Sequence, residues 1–295
     1  MVNDVILLAV LAGAFFSTAN IIMRIGVIEG DPTNGTAISV FIGTVVVFIA
    51  SVIEGSLLDL VKIDIISYLY LGIGGLINFI LGRALFYHSA KIIGIARAQL
   101  INATSPIFII AIGIIILGES LSNNEAISIT FMILGMIVIS VSNIRFNKSQ
   151  DNKFIIGISF ALAAALLRAI APFFIAQGLA GTFSPIAATF ISYAISSIGW
   201  IAVLIPKRRI LKIKNDLALL KIFVVQGTVV SLAIISIYIA IDIGRVIIIL
   251  PIVNTISPVF TVAITYLFLQ RIERVSIKVW LALILVVIGI YLNVN

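Results

Sequence analysis

Three arginines, Arg83, Arg97 and Arg168, stand inside long apolar runs of this sequence. At the centre of a bilayer a guanidinium costs at least about 2.5 kcal/mol unless it faces a cavity or a partner. Two such groups around one cavity would bind a carboxylate or a phosphate, because arginine presents a planar fork of donors. Arg168 is the deepest of the three and has Pro172 one turn beyond it, while Arg83 has Asn78 before it and Tyr87 one turn after. The competing reading is that these side chains pair with polar neighbours or snorkel to the headgroups. Snorkelling is the expectation for Arg97 and also for Arg83, which nevertheless stays among the candidate site residues.

A second polar feature is written twice. Ile101-Asn102-Ala103-Thr104-Ser105-Pro106-Ile107-Phe108 returns as Val253-Asn254-Thr255-Ile256-Ser257-Pro258-Val259-Phe260. A proline within a helix removes one backbone donor, so Pro106 and Pro258 free the carbonyls of Asn102 and Asn254, and Pro172 adds a third kink. Freed carbonyls in lipid must find protein, water or ligand. Asn102, Asn254, Ser105 and Ser257 therefore either satisfy their kinks locally and join helices, or converge as a polar substrate site. Asn20 and Arg24 on the first run, and Gln177, Gln226 and Tyr238 on later ones, are further polar candidates.

The elements that must position these residues are membrane helices. The 295 residues are 62% hydrophobic and 11% charged, whereas charged residues make up about a quarter of a soluble domain. Apolar runs near 5–24, 36–54, 66–88, 92–117, 124–143, 154–178, 184–205, 217–241, 245–269 and 275–293 each approach the roughly 20 residues that cross a bilayer as a helix. The alternating segments of a β-barrel are absent. A polar stretch at 145–153 reads as a linker with its boundary near Gln150, dividing the chain into repeats at 1–149 and 150–295. A duplicated unit with an odd number of crossings places its two copies upside down. The expected fold is all-α and integral to the membrane, with ten transmembrane helices as two inverted five-helix repeats. Ser122 and Glu125 form the signature of a capping box, Asp242 is placed to pair with Arg245, and small residues such as Gly72, Gly74, Gly75 and Gly82 allow close helix approach.

The net charge of +7 is explained by topology rather than by a nucleic-acid partner. Arg24, Lys91, Lys153, Lys221 and the basic loop 206–214 fall at one membrane face, with Lys62 and Arg245 at the other. Basic loops stay cytoplasmic, which puts both termini outside. No basic segment precedes the first run, so it is expected to be retained rather than cleaved. With no cysteine and one histidine, His88, neither disulfides nor a thiol- or histidine-clustered metal site is expected, and no cofactor. An intramembrane enzyme would need paired carboxylates, a metal cage or a nucleophile beside a base, none of which the sequence offers. A purely structural membrane protein is the other rival, but it has no use for matching broken helices in two repeats.

The pattern resembles the EamA family of the drug/metabolite transporter superfamily. The residues that carry it are Ala84-Leu85-Phe86-Tyr87-His88-Ser89-Ala90, Pro106 and Gly118-Glu119-Ser120-Leu121-Ser122, repeated more loosely as Ala240-Ile241-Asp242-Ile243-Gly244, Pro258 and Glu273-Arg274-Val275-Ser276. The resemblance implies a ten-helix secondary transporter of small metabolites in the cell membrane, working by alternating access between its halves. Amino acids or related compounds, often exported, are the commonest cargo it implies. It also implies cytoplasmic termini, against the loop charges. An organic-anion or phosphate-ester exchanger is the alternative that the membrane arginines favour. The expected partners are a small-molecule substrate and membrane lipids, with homodimerisation left open.

Overall fold

The computed structural model describes residues 2–102, 104–118, 120–142, 152–182, 184–204, 217–268, 284–285 and 288–289. The linker at 145–153 (apart from its last residues), the basic loop 206–214, Glu119, the 273–276 motif and most of the tenth apolar run lie outside them. The described helices are α1 (Val2–Glu29), α2 (Pro32–Glu54), α3 (Ile65–Gly75), α4 (Arg83–Ile93), α5 (Ile95–Asn102), α6 (Ser105–Leu117), α7 (Asn123–Ser142), α8 (Asn152–Leu179), α9 (Pro185–Leu204), α10 (Leu217–Ile243) and α11 (Val246–Phe268). A 3-10 turn, Ser56–Lys62, precedes α3, and a π-helical turn, Leu76–Gly82, joins α3 to α4. Among the described residues there is no strand, and six spans are long and apolar enough to cross a membrane: Asp4–Val27, Pro32–Glu54, Ile65–Ile93, Asn152–Leu179, Pro185–Leu204 and Leu219–Ile243. The described residues are all-helical, and the chain is a multi-pass integral membrane protein.

Large apolar side chains such as Ile53, Val61 and Ile115 are exposed, whereas Ala9, Ala12, Ala19, Ala161 and Ala164 are wholly buried. Lipid is as apolar as leucine, so helices gain little by hiding large side chains and associate through small residues that bring backbones close. Serine hydroxyls then bond across the contacts, as in Ser192 Oγ to the Leu71 carbonyl (2.9 Å) and Ser89 Oγ to the Gly157 carbonyl (2.8 Å).

These contacts fix helix directions. Val5 meets Gly244, and Gly30 meets Leu219, so α1 and α10 are antiparallel. Gly35 lies on Phe223 and Gly227 on Ser39, which makes α2 and α10 parallel. Glu54 accepts from Ser184 Oγ at 2.6 Å, and Phe48 packs on Phe190, so α2 and α9 are antiparallel. Gly75 meets Ser192 and Gly199 meets Ile80, so α9 and α3 are parallel, while Gly178 on Leu71 and Gly157 on Ile93 make α3–α4 and α8 antiparallel. By this chain of contacts α8 runs opposite to α1, α9 opposite to α2, and α10 opposite to α3–α4. The halves also interleave: α1 packs on α10 and α11, and α8 on α3 and α4.

The first Asn/Ser-Pro phrase departs from the expected kink. The fourth run is divided outright into α5 and α6, Thr104 N and Oγ1 both donate to the Ile101 carbonyl, and Pro106 sits in the first turn of α6. Proline is well tolerated there, where its missing N–H would have no helical partner. In the second copy α11 continues through Pro258, and α8 through Pro172.

Helix ends follow local chemistry. The Ser122/Glu125 capping box forms reciprocally, Ser122 N donating to Glu125 Oε2 at 2.8 Å and Glu125 N to Ser122 Oγ at 3.2 Å. Glu125 also holds Arg245 at 3.0 Å, and Arg245 donates to the Ser120 carbonyl at 2.9 Å, which ties the start of α11 to the loop before α7. Asp64 caps α3 by accepting from Ile66 N and Ser67 N, both at 3.1 Å. Hydrogen bonds from Ser67, first from its side chain and then its backbone, hold the Asp64 carboxyl below its ordinary range. A depressed carboxylate pKa contributes stability above the unfolded value that is lost as pH falls through the folded one. Asp64→Asn is therefore expected to flatten the loss of thermal stability below the ordinary carboxylate range, about pH 4, while leaving neutral-pH stability within the small change of a conservative cap swap. Thermal unfolding in detergent from pH 3 to 7 checks this, and an unchanged acid slope counts against it.

Candidate functional site

The helices surround a cavity of about 840 Å³, its opening included, lined from α1, the α3–α4 span, α6, α8, α10 and α11. Its polar lining is Asn20, Asn78, Arg83, Tyr87, Ser105, Arg168, Gln226, Tyr238 and Asn254, and the apolar remainder includes Phe16, Phe86, Ile234, Ile237 and Leu250. No Asp or Glu is among the described lining residues.

Arg168 projects from the middle of α8. Its guanidinium lies 5.8 Å from the Phe16 ring centroid and 5.7 Å from that of Phe86, held between two aromatic faces from α1 and α4. Gly82 opposite its stem leaves it room, since a Cβ there would stand 3.1 Å from Arg168 Cγ. Cation–π contacts neutralise part of the cost of a membrane guanidinium but occupy none of its N–H donors. Among the described residues no hydrogen bond or ion pair engages those donors, and its nitrogens are not among the sealed, unpartnered atoms. They face the cavity. Pro172, one turn on, also leaves the Arg168 carbonyl without its helical N–H.

Arg83 corrects the snorkelling expectation. It is 8% exposed, donates from Nη1 to Ser39 Oγ at 3.2 Å, lies over the Phe79 ring at 5.0 Å, and is near enough to Arg168 for the two charges to interact. Arg97 does stay apart from the cavity, its guanidinium 5.4 Å from the Phe154 ring centroid. Gln226 donates from Nε2 to the Tyr87 hydroxyl at 2.9 Å, leaving its buried Oε1 without a partner, as is the Tyr238 hydroxyl.

Of the residues singled out in the sequence, the cavity gathers Arg168, Arg83, Asn78, Asn20, Ser105, Asn254, Gln226, Tyr238 and Pro172. It leaves out Asn102, which ends α5 half-buried with an unpartnered Oδ1, as well as Ser257 and Pro106; the side chain of Pro258 lies outside the described residues. Gln177 is exposed. Phe16 and Phe86 were not foreseen, and the signal that could have found them is the rule that a membrane arginine seeks an aromatic face.

Among groups of described residues, none with three His, Cys, Asp or Glu could hold a metal ion. One similar solved structure, titled only as a crystal structure of a protein, has 17% identity, covers 99% of this chain and 96% of its own, and has a TM-score of 0.73, a likeness of fold. No curated protein matches in sequence. Residues 4–141 and 155–295 each match the EamA-like transporter family. With two copies of the family's unit across nearly its whole length, and a polar cavity between interleaved helices, the chain belongs to the EamA-like transporter family and is a membrane transporter.

Proposed function

We propose that this protein is a ten-helix, inverted-repeat carrier in the cell membrane that moves a small metabolite by alternating access, with a substrate carboxylate seated on Arg168. The observation that carries the reading is the Arg168 guanidinium, fixed between Phe16 and Phe86 with its donors turned to the cavity. Helix N-termini and freed backbone at mid-bilayer are where such carriers bind. Because α1 packs on α10 and α11, and α8 on α3 and α4, the rocking groups draw helices from both repeats. The loop charges put the basic end in the cytoplasm.

Amino acids fit first. The Arg168 carbonyl freed by Pro172 can accept from an ammonium group, and Ile234, Ile237 and Leu250 offer an apolar wall to a side chain. A second reading, exchange of organic dianions or phosphate esters, draws support from Arg83 beside Arg168 and from the acid-free lining.

Counterflow in proteoliposomes distinguishes the two. Vesicles preloaded with leucine, 2-oxoglutarate or 3-phosphoglycerate are offered the same labelled solute. Accumulation of leucine alone supports amino-acid transport, accumulation of 2-oxoglutarate or 3-phosphoglycerate alone supports the exchanger, and flux of a carboxylate-free cation such as choline in preference to all three would sink the carboxylate site.

A further inference from the structure

The π-helical turn Leu76–Gly82 interrupts the third span directly before Arg83, whose N–H bonds the carbonyl of Asn78 five residues back. In an α-helix, residues five apart stand about 140° round from one another, so Asn78 and Arg83 would face different neighbours. A turn closed on the fifth residue stacks them instead. Both consequently line the cavity, and Tyr87, one α-turn beyond Arg83, continues the same face.

A π-turn is uncommon because it gives up the tighter α-helical packing, and it persists where something outside the helix holds it. Here the hold comes from α9. Trp200, 1% exposed, donates its indole N–H to the Phe79 carbonyl at 3.2 Å, and Tyr193 of α9 stacks on the Phe79 ring at 4.3 Å. An indole N–H buried at membrane depth needs an acceptor, and a carbonyl within the widened turn supplies one. Trp200 is not part of the cavity lining.

We propose that Trp200 is a positioning residue, whose hydrogen bond to the Phe79 carbonyl holds the π-helical turn that aims Asn78 and Arg83 together into the cavity. Without that bond the segment relaxes towards an α-helix, and one of the two side chains turns away. The consequence for substrate binding rests on the cavity being the transport site; the geometric effect does not, and the experiment reads the geometry alone.

The chain has no cysteine, so a single one reports accessibility without further engineering. Asn78→Cys in membrane vesicles is expected to react with an anionic methanethiosulfonate reagent, drawn in by the two guanidinium groups. Adding Trp200→Phe should slow that reaction about tenfold, the population shift that loss of one buried hydrogen bond supports. Asn254→Cys on α11 should react equally fast with or without Trp200→Phe, which reports an intact cavity. Deleting Leu81, whose side chain is exposed, brings Asn78 and Arg83 four residues apart, a spacing that an α-helix places on one face. That deletion should restore Asn78→Cys labelling in the Trp200→Phe background, a rescue that a generally structural tryptophan would not show. Unchanged labelling in Trp200→Phe overturns the proposal. So does failure of the Leu81 deletion to restore it, and where Trp200→Phe alone collapses the bundle, that double variant decides in the same way.

Discussion

Arg168→Ala is expected to reduce carboxylate counterflow by about 100-fold, the equivalent of two charge-assisted hydrogen bonds at roughly 1.5 kcal/mol each. The geometry explains why the loss is large. The guanidinium makes no hydrogen bond within the described protein and is steadied only by the rings of Phe16 and Phe86. Its donors are therefore available to a ligand at little cost in broken contacts. Arg168→Lys should recover little of the flux, because an ammonium keeps the charge but loses the fork that meets a carboxylate in two places. Stability should move much less than flux: the variant loses two cation–π contacts but also loses a half-buried charge that has no ionic partner among the described residues, and these effects oppose one another. Arg97→Ala, at a guanidinium that lies on Phe154 outside the cavity, serves as the control and should leave counterflow near the unsubstituted rate. Equal losses in both variants would mean that the Arg168 effect is not a binding effect.

Gly75→Ala should destabilise the fold itself. A Cβ at that position would stand 2.5 Å from the Ser192 carbonyl oxygen and 3.0 Å from the Ser192 carbonyl carbon and Cα, all backbone atoms of α9. A flexible side chain can swing aside, but a helix backbone pinned by the Ser192 Oγ bond to the Leu71 carbonyl must shift as a whole. Overpacking of this kind costs about 1–3 kcal/mol, which corresponds to a fall in melting temperature of about 5 °C. Gly199→Ala would meet mainly the Cδ1 of Ile80 at 2.5 Å and Leu76 Cδ2 at 3.0 Å, the ends of movable side chains, and should cost less. Thermal unfolding in detergent, monitored as the fraction remaining monodisperse, compares the two. A Gly199→Ala variant that is the less stable of the pair would refute the assignment of α3–α9 as the tighter contact.

Local features were legible in the sequence wherever the physics is local. The Ser122/Glu125 box depends on residues three apart, and it forms as the spacing dictates. Arg245 shows the limit of that approach: Asp242 is its near neighbour in sequence, yet Glu125 and the Ser120 carbonyl, from the other half of the chain, hold its guanidinium. Likewise the proline phrase is written twice, but only the first copy divides its span. Thr104 can satisfy the Ile101 carbonyl there with both its backbone and its hydroxyl.

Composition placed the chain in the membrane, because no soluble core could hide so much apolar surface, and the length of its apolar runs made it helical, because lipid admits only helices and closed barrels and the alternating segments of a barrel are absent. The duplicated phrase marked the chain as two copies of one unit, and the solitary arginine deep in the sixth run marked a place where a cavity or partner was required. Only the tertiary structure decided which polar residues share that cavity. A membrane helix is apolar on nearly every side, so its sequence carries little of the amphipathic signal that tells a soluble helix which face turns inward. Rotation about the helix axis is set by contacts with other helices. Arg83 enters the cavity because a π-turn shifts its phase by a residue, Gln226 joins it from α10, and Asn102 falls outside because α5 stops before α6 begins.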